Sequence, residues 1–223
     1  MNGAVRRPAF GVRLAYASGG AAEGIKTAAF NTFVLYYYNQ VLGVSGTLTG
    51  AALFLALLVD AVTDPLAGTV SDRFRSAWGR RHPFMAAAAV PMALALWALF
   101  NPPTGLGETG LFLWLTVSAV GVRLFLTLFY IPHLALGAEL TSDYDTRTSI
   151  FALASLFGTM GAFGTGLVAY SFFFVSTPEH AHGLLNPDAY ATFSIAAALA
   201  AGTFIAVCVV GTLPEVPYLR PVT

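Results

Sequence analysis

Cysteine, lysine and charged residues in general are scarce in this 223-residue chain. The only cysteine, Cys208, excludes an internal disulfide and any metal site built from several cysteines. The only lysine, Lys26, follows Ile25, so the Gly-Lys-Ser/Thr sequence of a phosphate-binding P-loop is absent. Charged residues make up 10% of the chain, and 11 basic residues balance 11 acidic ones. A basic nucleic-acid-binding surface is therefore not expected. Because no hydrolase or metal-ligand motif stands out either, we predict neither an enzyme nor a nucleic-acid partner.

Hydrophobic residues, in contrast, make up 57% of the chain and give a mean hydropathy of +0.70. A soluble domain of this length could not bury so much apolar surface. About 20 helical residues cross the roughly 30 Å hydrocarbon core of a bilayer. Six stretches meet this requirement: 20–42, 47–71, 83–100, 110–139, 147–176 and 190–212. The sequence therefore predicts an all-α integral membrane protein, a bundle of six transmembrane helices embedded in a lipid bilayer.

The basic residues outside these stretches or at their ends predict the orientation of the bundle. Nine of the 11 lie in segments on one side: Arg6, Arg7, Arg13, Arg73, Arg75, Arg80, Arg81, Arg147 and Arg220. Because cytoplasmic loops carry the excess of Lys and Arg, we expect both termini in the cytoplasm. The expected division is a cytoplasmic N-terminal segment (1–19), a six-helix membrane domain (20–212), and a cytoplasmic tail or inter-half linker (213–223).

Acidic residues recur every four positions along the second stretch, at Asp60, Asp64 and Asp72, with Gly68 continuing the spacing. At 100° per residue these positions form one slowly turning stripe. Pro65 disturbs the carbonyl of Ala61, four residues earlier. Two carboxylates beside a loosened carbonyl, with the Thr63 hydroxyl nearby, offer hard oxygen ligands for a small cation. We predict that Asp60, Asp64 and Thr63 bind a coupling ion, Na⁺ or H⁺, and expect no other cofactor.

The alternative is that these acids only neutralise basic residues at membrane depth. Charges there are costly and are retained facing a partner or a watery cavity. Glu23 and Lys26 are three residues apart and share one helix face. Arg123 has no acid within four residues, so it must reach across the bundle to a carboxylate or an anionic substrate. The three acids Glu23, Asp60 and Asp64 outnumber the two bases by one, and a proton or sodium ion would balance that charge.

Two further patterns concern packing and conformational change. Gly158, Gly161, Gly164 and Gly166 lie within an apolar helix, where close helix packing is a better interpretation than a dinucleotide loop. Two charged clusters flank the cytoplasmic helix ends and could act as a conformational latch, or could simply orient and solvate their loops. Their residues are Gly68, Asp72, Arg73, Arg75, Gly79, Arg80 and Arg81 after the second stretch, and Glu139, Asp143 and Arg147 after the fourth.

At these residues the chain resembles a known family. The pattern D-x-x-T-D-P-x-x-G-x-x-x-D-R-x-R-x-x-W-G-R-R-x-P runs from Asp60 to Pro83, and two further matches run over Leu35–Ser45 and Ile131–Thr148. It is similar to the glycoside-pentoside-hexuronide:cation symporter family of the major facilitator superfamily, whose best-known member is melibiose permease. The resemblance covers most of residues 12–212. It implies that the chain is the N-terminal half of a twelve-helix fold, with 3+3 inverted repeats and alternating access.

The resemblance also implies residue roles. Asp60 and Asp64 match the family's cation-binding aspartates, and Thr127 matches a helix-four hydroxyl ligand. Tyr130 replaces an aspartate that serves cation and sugar, and Glu23-Gly24 replaces a sugar-contacting Lys-Asp pair. These departures argue against a melibiose-like galactoside and leave an acidic or amphiphilic solute as an alternative. The expected substrate-binding residues are Glu23, Lys26, Arg123 and Tyr130.

The function expected from residues and resemblance together is cation-coupled symport of a sugar-like or other small polar or anionic solute. The chain would work in a bacterial inner (plasma) membrane. A second six-helix half would come from the same native chain, a partner chain or a second copy. The alternatives are a non-transporting truncated or degenerate half, whose charges only hold the bundle together, and a proton-driven exporter of the same superfamily.

Overall fold

Six long helices make up most of the described part of the molecule. A computed structural model describes residues 7–219, so Arg6 and Arg220 of the orientation argument lie outside the described residues. The helices are α1 (Phe10–Ala28), α2 (Gly46–Arg73), α3 (His82–Leu99), α4 (Glu108–Glu139), α5 (Tyr144–Val168) and α6 (Pro187–Thr212). π-Helical turns over Ala29–Val34 and Tyr37–Val41 continue α1, another over Ala169–Phe173 continues α5, and short 3-10 helices cover Gly183–Leu185 and Leu213–Tyr218. Residues 7–219 contain no β-strand, in agreement with the predicted all-α class.

Within residues 7–219, five helices are long and apolar enough to cross a membrane. They are α2, α3, α4, α5 with its π-helical turn, and α6 with the 3-10 helix that follows it. Their ends agree with the predicted stretches to within three residues, except that α6 with its 3-10 helix ends at Tyr218, six residues after the predicted end at 212. The remaining helix, α1, is rich in glycine and alanine and carries Glu23 and Lys26, which lower its hydropathy. It is nevertheless a central element of the bundle, because it packs against both α5 and α6.

Helix α1 starts earlier than the first predicted membrane-spanning stretch. The helix begins at Phe10, ten residues before the expected start at residue 20. Half of the added residues are glycine, alanine or serine, and those from Tyr16 to Gly19 are buried. The Ser18 hydroxyl donates to the carbonyl of Phe204 on α6 at 3.1 Å. Alanine, glycine and serine give a weak hydropathy signal while allowing close packing, so this part of the helix does not stand out in the sequence.

Glycines bring α1 and α5 into backbone contact. A β-carbon at Gly24 would lie 2.0 Å from the carbonyl oxygen of Gly158, and one at Gly161 would lie 2.6 Å from that of Ala21. The predicted close packing is therefore confirmed at Gly158 and Gly161. A β-carbon at Gly164 would meet no atom within 4 Å, and the same holds for Gly166.

The main contacts between helices have an internal two-fold pattern. Helix α1 packs against α5 and α6, α4 packs against α2 and α3, and α3 packs against α6. Exchanging α1–α3 with α4–α6 leaves this set of contacts unchanged. The same pattern is expected of two three-helix repeats, which the sequence itself does not reveal. It gives α1 and α4 equivalent positions, and together with α2 these two helices carry the charged residues inside the bundle.

Candidate functional site

A polar cavity of about 130 Å³ lies where α1, α2 and α4 meet. Its lining consists of Glu23, Lys26, Asp60, Asp64, Arg123, Leu126, Thr127, Tyr130 and Ile131. Seven of the eight residues that we predicted for cation or substrate binding are in this lining. The structure therefore brings together positions that are up to about a hundred residues apart in the chain.

Two polar contacts join α2 to α4 across this cavity. Asp60 forms an ion pair with Arg123, through Oδ2 and Nη1. One turn further along both helices, the Thr127 hydroxyl donates to Asp64 Oδ1 at 2.8 Å. In each helix the two residues are four positions apart, so both contacts fall on facing stripes of the two helices. The first contact pairs opposite charges, whereas the second leaves the Asp64 carboxylate with only a neutral donor.

The α1 side of the cavity carries a second ion pair. Lys26 Nζ lies 3.4 Å from Glu23 Oε1, and the Thr27 hydroxyl donates to the same oxygen at 2.7 Å. Phe30, one turn after Lys26, places its ring 5.3 Å from the guanidinium carbon of Arg123. Both bases are thus held by acids of the cavity, and Arg123 also rests against an aromatic face.

Thr63 is the predicted site residue that stays outside the cavity lining. Its hydroxyl points to the backbone carbonyl of Asp60 on its own helix, at 3.5 Å. A bond of this kind within one helical turn is common for threonine. Its partner is therefore the α2 backbone, and the hydroxyl on the opposite wall that contacts an acid is Thr127.

Polar hydrogen-bonding capacity is left over inside the cavity. Asp60 Oδ1 and Arg123 Nε are both buried without a hydrogen-bond partner in the described part of the chain. Buried polar atoms normally have a partner, and the exceptions call for an explanation such as an ion or a ligand. Among residues 7–219, no group of three or more His, Cys, Asp or Glu side chains is arranged to hold a metal ion. The two unpartnered atoms, a carboxylate oxygen and a guanidinium N–H, could each form a hydrogen bond with a bound group.

A larger cavity of about 450 Å³ adjoins the first and shares Glu23 and Tyr130 with it. Between α1, α4 and α5 it adds the polar side chains of His133 and of four residues that the sequence reasoning missed: Tyr16, Thr27, Ser155 and Thr159. The spacing of four residues from Glu23 to Thr27 and from Ser155 to Thr159 was a usable signal, since it places each pair on one helix face. The two cavities together have room for a solute next to the charged group.

His133 belongs to the wall of this larger cavity and is almost fully buried. Its ring stacks on Tyr16 at a centroid distance of 4.1 Å, and its Nε2 donates to the Tyr16 carbonyl at 2.9 Å. With Nε2 donating, Nδ1 is an acceptor of the neutral ring. His133 therefore fixes α4 against α1.

A buried arginine connects the ends of α2, α3 and α4 on the side predicted to be cytoplasmic. Arg81 pairs with Asp72, donates to the Ser71 hydroxyl at 2.9 Å and contacts Glu139 Oε1 at 3.0 Å. Arg80 contacts the same Glu139 oxygen at 3.1 Å. Four residues of the two predicted charge clusters thus form one network that joins three helix ends.

The remaining cluster residues lie outside this network. Arg73 and Arg75 are exposed. A β-carbon at Gly68 would meet Ile131 at 3.6 Å, and Gly79 has a φ of +76° that suits glycine. Asp143 caps α5 by accepting from the backbone N–H of Thr146 at 3.1 Å.

Hydrogen bonds of Thr146 and Arg147 also stabilise this start of α5. The hydroxyl and backbone N–H of Thr146 lower the pKa of Asp143 below its usual value, and nearby Arg7 adds to this effect. Arg147 donates to the carbonyl of Thr141 at 3.1 Å. Asp143 and Arg147 therefore stabilise the beginning of a helix that packs against α1.

Comparison with known proteins places this architecture in a family. The family model described as "MFS/sugar transport protein" matches residues 15–220. An uncharacterized symporter of Synechocystis sp. is 31% identical over 175 residues, which cover 76% of this chain and 32% of that protein. The isoprimeverose transporter of Lactiplantibacillus pentosus is 27% identical over 77% of this chain and 36% of its own length. The inner membrane symporter YicJ of Escherichia coli is 26% identical over 67% of this chain and 32% of its own length. The matches thus span about a third of the length of these relatives.

Proposed function

This chain belongs to the MFS/sugar transport protein family, and from that premise we propose that it is one six-helix half of a cation-coupled symporter for a small polar solute. The family is one of membrane transporters and not of enzymes. The resemblance to glycoside-pentoside-hexuronide:cation symporters is confirmed by this membership and by relatives that are named symporters. The solute class is sugar-like, in keeping with the family description and with the isoprimeverose transporter among the relatives.

The observation that carries this proposal is the charge balance of the 130 Å³ cavity. Three acids and two bases line it, and both bases are paired with acids. Asp64 is the remaining acid, and its described polar contact is the Thr127 hydroxyl. An uncompensated carboxylate at membrane depth is costly. One monovalent cation, Na⁺ or H⁺, would compensate it and could thereby couple to a solute in the adjoining cavity.

The proposal also includes the orientation of the chain, the membrane that holds it and a second six-helix half. The termini face the cytoplasm, as the one-sided distribution of arginines suggests. The membrane is a bacterial inner membrane, as for the YicJ relative. A second six-helix half, from a longer native chain, a partner chain or a second copy, would close the solute pathway.

The rival function is a non-transporting membrane protein, and one observation favours it. The pairs Asp60–Arg123 and Glu23–Lys26 have the opposite charges that a purely structural network requires. The Asp60–Arg123 pair would hold α2 to α4, and the Glu23–Lys26 pair would neutralise charge within α1, without binding any ion. The two functions differ in Asp64, which a structural network does not need.

The test is solute uptake by the complete transporter that contains this chain. Isoprimeverose uptake into membrane vesicles is measured with an imposed Na⁺ or H⁺ gradient and without one. We expect the gradient to accelerate uptake and Asp64→Asn to abolish the acceleration, because the substitution removes the charge that the ion compensates. Asp145→Asn is the matched control, since Asp145 is exposed in the first turn of α5.

Three other results would count against this proposal. Gradient-driven uptake that survives Asp64→Asn would exclude the proposed ion site. Absence of uptake for isoprimeverose and a panel of glycosides, with the protein folded, would favour the structural rival. Solute efflux driven by a proton gradient in oriented vesicles would instead identify an exporter.

A further inference from the structure

The Asp60–Arg123 ion pair has a consequence for which carboxylate can receive the coupling ion. We propose that the Arg123 guanidinium acts as a built-in cation that permanently neutralises Asp60, so that an external cation is received at Asp64 and Thr127 alone. Arg123 is then the residue that sets the cation stoichiometry and affinity of the site. This inference rests on the proposed function only for the identity of the site, and its test separates the two.

The first argument is that Arg123 is held in place from two sides. Arg123 Nη1 donates to Asp60 Oδ2 on α2. The ring of Phe30, in the π-helical turn that continues α1, lies 5.3 Å from the guanidinium carbon of Arg123. The side chains of Arg123 and Asp60 are only 21% and 18% exposed. An arginine that is ion-paired with one helix and packed against an aromatic ring of another would lose both contacts if it moved toward a solute.

The second argument comes from electrostatics at the two carboxylates. A guanidinium in contact with Asp60 occupies the space and supplies the charge that a sodium ion would otherwise provide there. Two like charges at contact distance repel strongly in a partly buried site. A sodium ion bound between both aspartates would have to displace Arg123 and leave it unpaired, whereas one bound at Asp64 and Thr127 leaves the ion pair intact.

The third argument is that, among residues 7–219, no base forms an ion pair with Asp64. Lys26, the second base of the cavity, is paired with Glu23, which also accepts from the Thr27 hydroxyl. The Asp64 carboxylate faces the Thr127 hydroxyl at 2.8 Å. A hydroxyl can donate to a bare carboxylate or turn its lone pairs toward a cation. The Asp64–Thr127 pair is therefore compatible both with an empty site and with a site that holds a cation.

The experiment measures how Na⁺ affects the thermal stability of the full chain in lipid nanodiscs. Cys208 is the only cysteine and is fully buried, so a thiol-reactive fluorescent dye reports unfolding at a single site. NaCl is titrated against choline chloride at constant ionic strength. A ligand that binds only the folded protein raises its melting temperature. The proteins compared are wild type, Arg123→Gln, Asp60→Asn and the double variant, with Arg75→Gln as a control that removes an exposed arginine.

We expect Arg123→Gln to lower the half-saturating Na⁺ concentration about tenfold or more, because it frees a second carboxylate and removes a positive charge. Asp60→Asn should abolish the Na⁺ response, because the unpaired guanidinium then repels a cation from Asp64. The double variant should respond to Na⁺ as wild type does. Arg75→Gln should leave the wild-type response unchanged.

Two results would overturn the inference. A double variant that stays as unresponsive as Asp60→Asn would show that Asp60 is itself a ligand of the ion. If Arg123→Gln has the same Na⁺ response as wild type, Arg123 does not occupy the site. The same conclusion follows if neither protein responds to Na⁺. If Arg123→Gln does not fold, the comparison of Asp60→Asn with the double variant still decides whether Asp60 is a ligand of the ion.

The same data separate this inference from the proposed coupling. A wild-type protein without a Na⁺ response, next to an Arg123→Gln protein that gains one, would support the built-in cation and count against Na⁺ as the coupling ion. A wild-type response that Arg123→Gln leaves unaltered would keep the coupling ion and remove the role of Arg123.

Discussion

At the scale of single residues, the Thr127 hydroxyl is the sharpest probe of the proposed ion site. It donates to Asp64 at 2.8 Å and is nearly buried. A hydrogen bond to a charged group is worth about 1.5–3 kcal/mol. We expect Thr127→Val to weaken binding of the ion that drives uptake by about tenfold, whereas Thr127→Ser should keep the wild-type affinity. Half-saturation of uptake by that ion measures the effect, and a valine variant with unaltered half-saturation would contradict the hydroxyl's role.

The residue scale also shows what the sequence could and could not predict about the site. The acidic spacing of Asp60 and Asp64 identified the stripe, and the lack of a local acid near Arg123 indicated a partner on another helix. Which acid that partner is depends on the rotation of α2 against α4, and no pattern within one helix contains that information. For the same reason the Phe30 contact and the larger cavity beside His133 became visible only in the folded bundle.

At the scale of helices, the α1–α5 contact depends on the absence of side chains. We expect Gly24→Ala to lower the stability of the protein by about 1–3 kcal/mol, because the new methyl group would meet the Gly158 carbonyl oxygen and force the helices apart. Thermal melting followed at Cys208 measures the change.

Gly164→Ala is the matched control for that substitution. It adds the same methyl group to α5 where no atom lies within 4 Å, and alanine favours a helix over glycine by up to about 1 kcal/mol. It should therefore leave the melting temperature unchanged or raise it. Equal effects of the two substitutions would mean that the close contact does not limit stability.

Helix boundaries were predictable where a long apolar run ends at a charge or a turn, as for α2 through α6. The N-cap residues Ser45 and Asn186 and the N-terminal prolines Pro83 and Pro187 agree with these starts. The beginning of α1 was not predictable in this way, because its packing depends on small residues that carry little hydropathy. The π-helical turns after α1 and α5 leave no recognisable signal in the sequence either.

At the scale of the whole molecule, the cavity is incompletely covered by the six helices. Glu23 and Arg123 keep 32% and 21% of their side-chain surface exposed. In an apolar 18-residue segment of α2, 17% of the segment is buried inside the bundle. The corresponding share is 11% for α5 and 44% for α6. Lipid can cover apolar faces, but charged groups at membrane depth need water or protein, at about 2.5–3.5 kcal/mol each on insertion scales. The two-fold contact pattern makes α1 and α4 equivalent, so both would turn their polar residues toward the same opening.

A second bundle facing α1 and α4 would cover these charges and enclose the two cavities. We therefore expect the transport-competent particle to contain at least twice the 23.5 kDa of this chain, whether in one polypeptide or in two. Native mass spectrometry of the protein released from its own membrane, combined with uptake by the same reconstituted fraction, measures this. A 23.5 kDa particle that catalyses gradient-driven uptake would show that water and lipid alone can cover the charges of α1 and α4. In that case the pairing of Glu23 with Lys26 and of Asp60 with Arg123 would be what lowers the cost of exposing them.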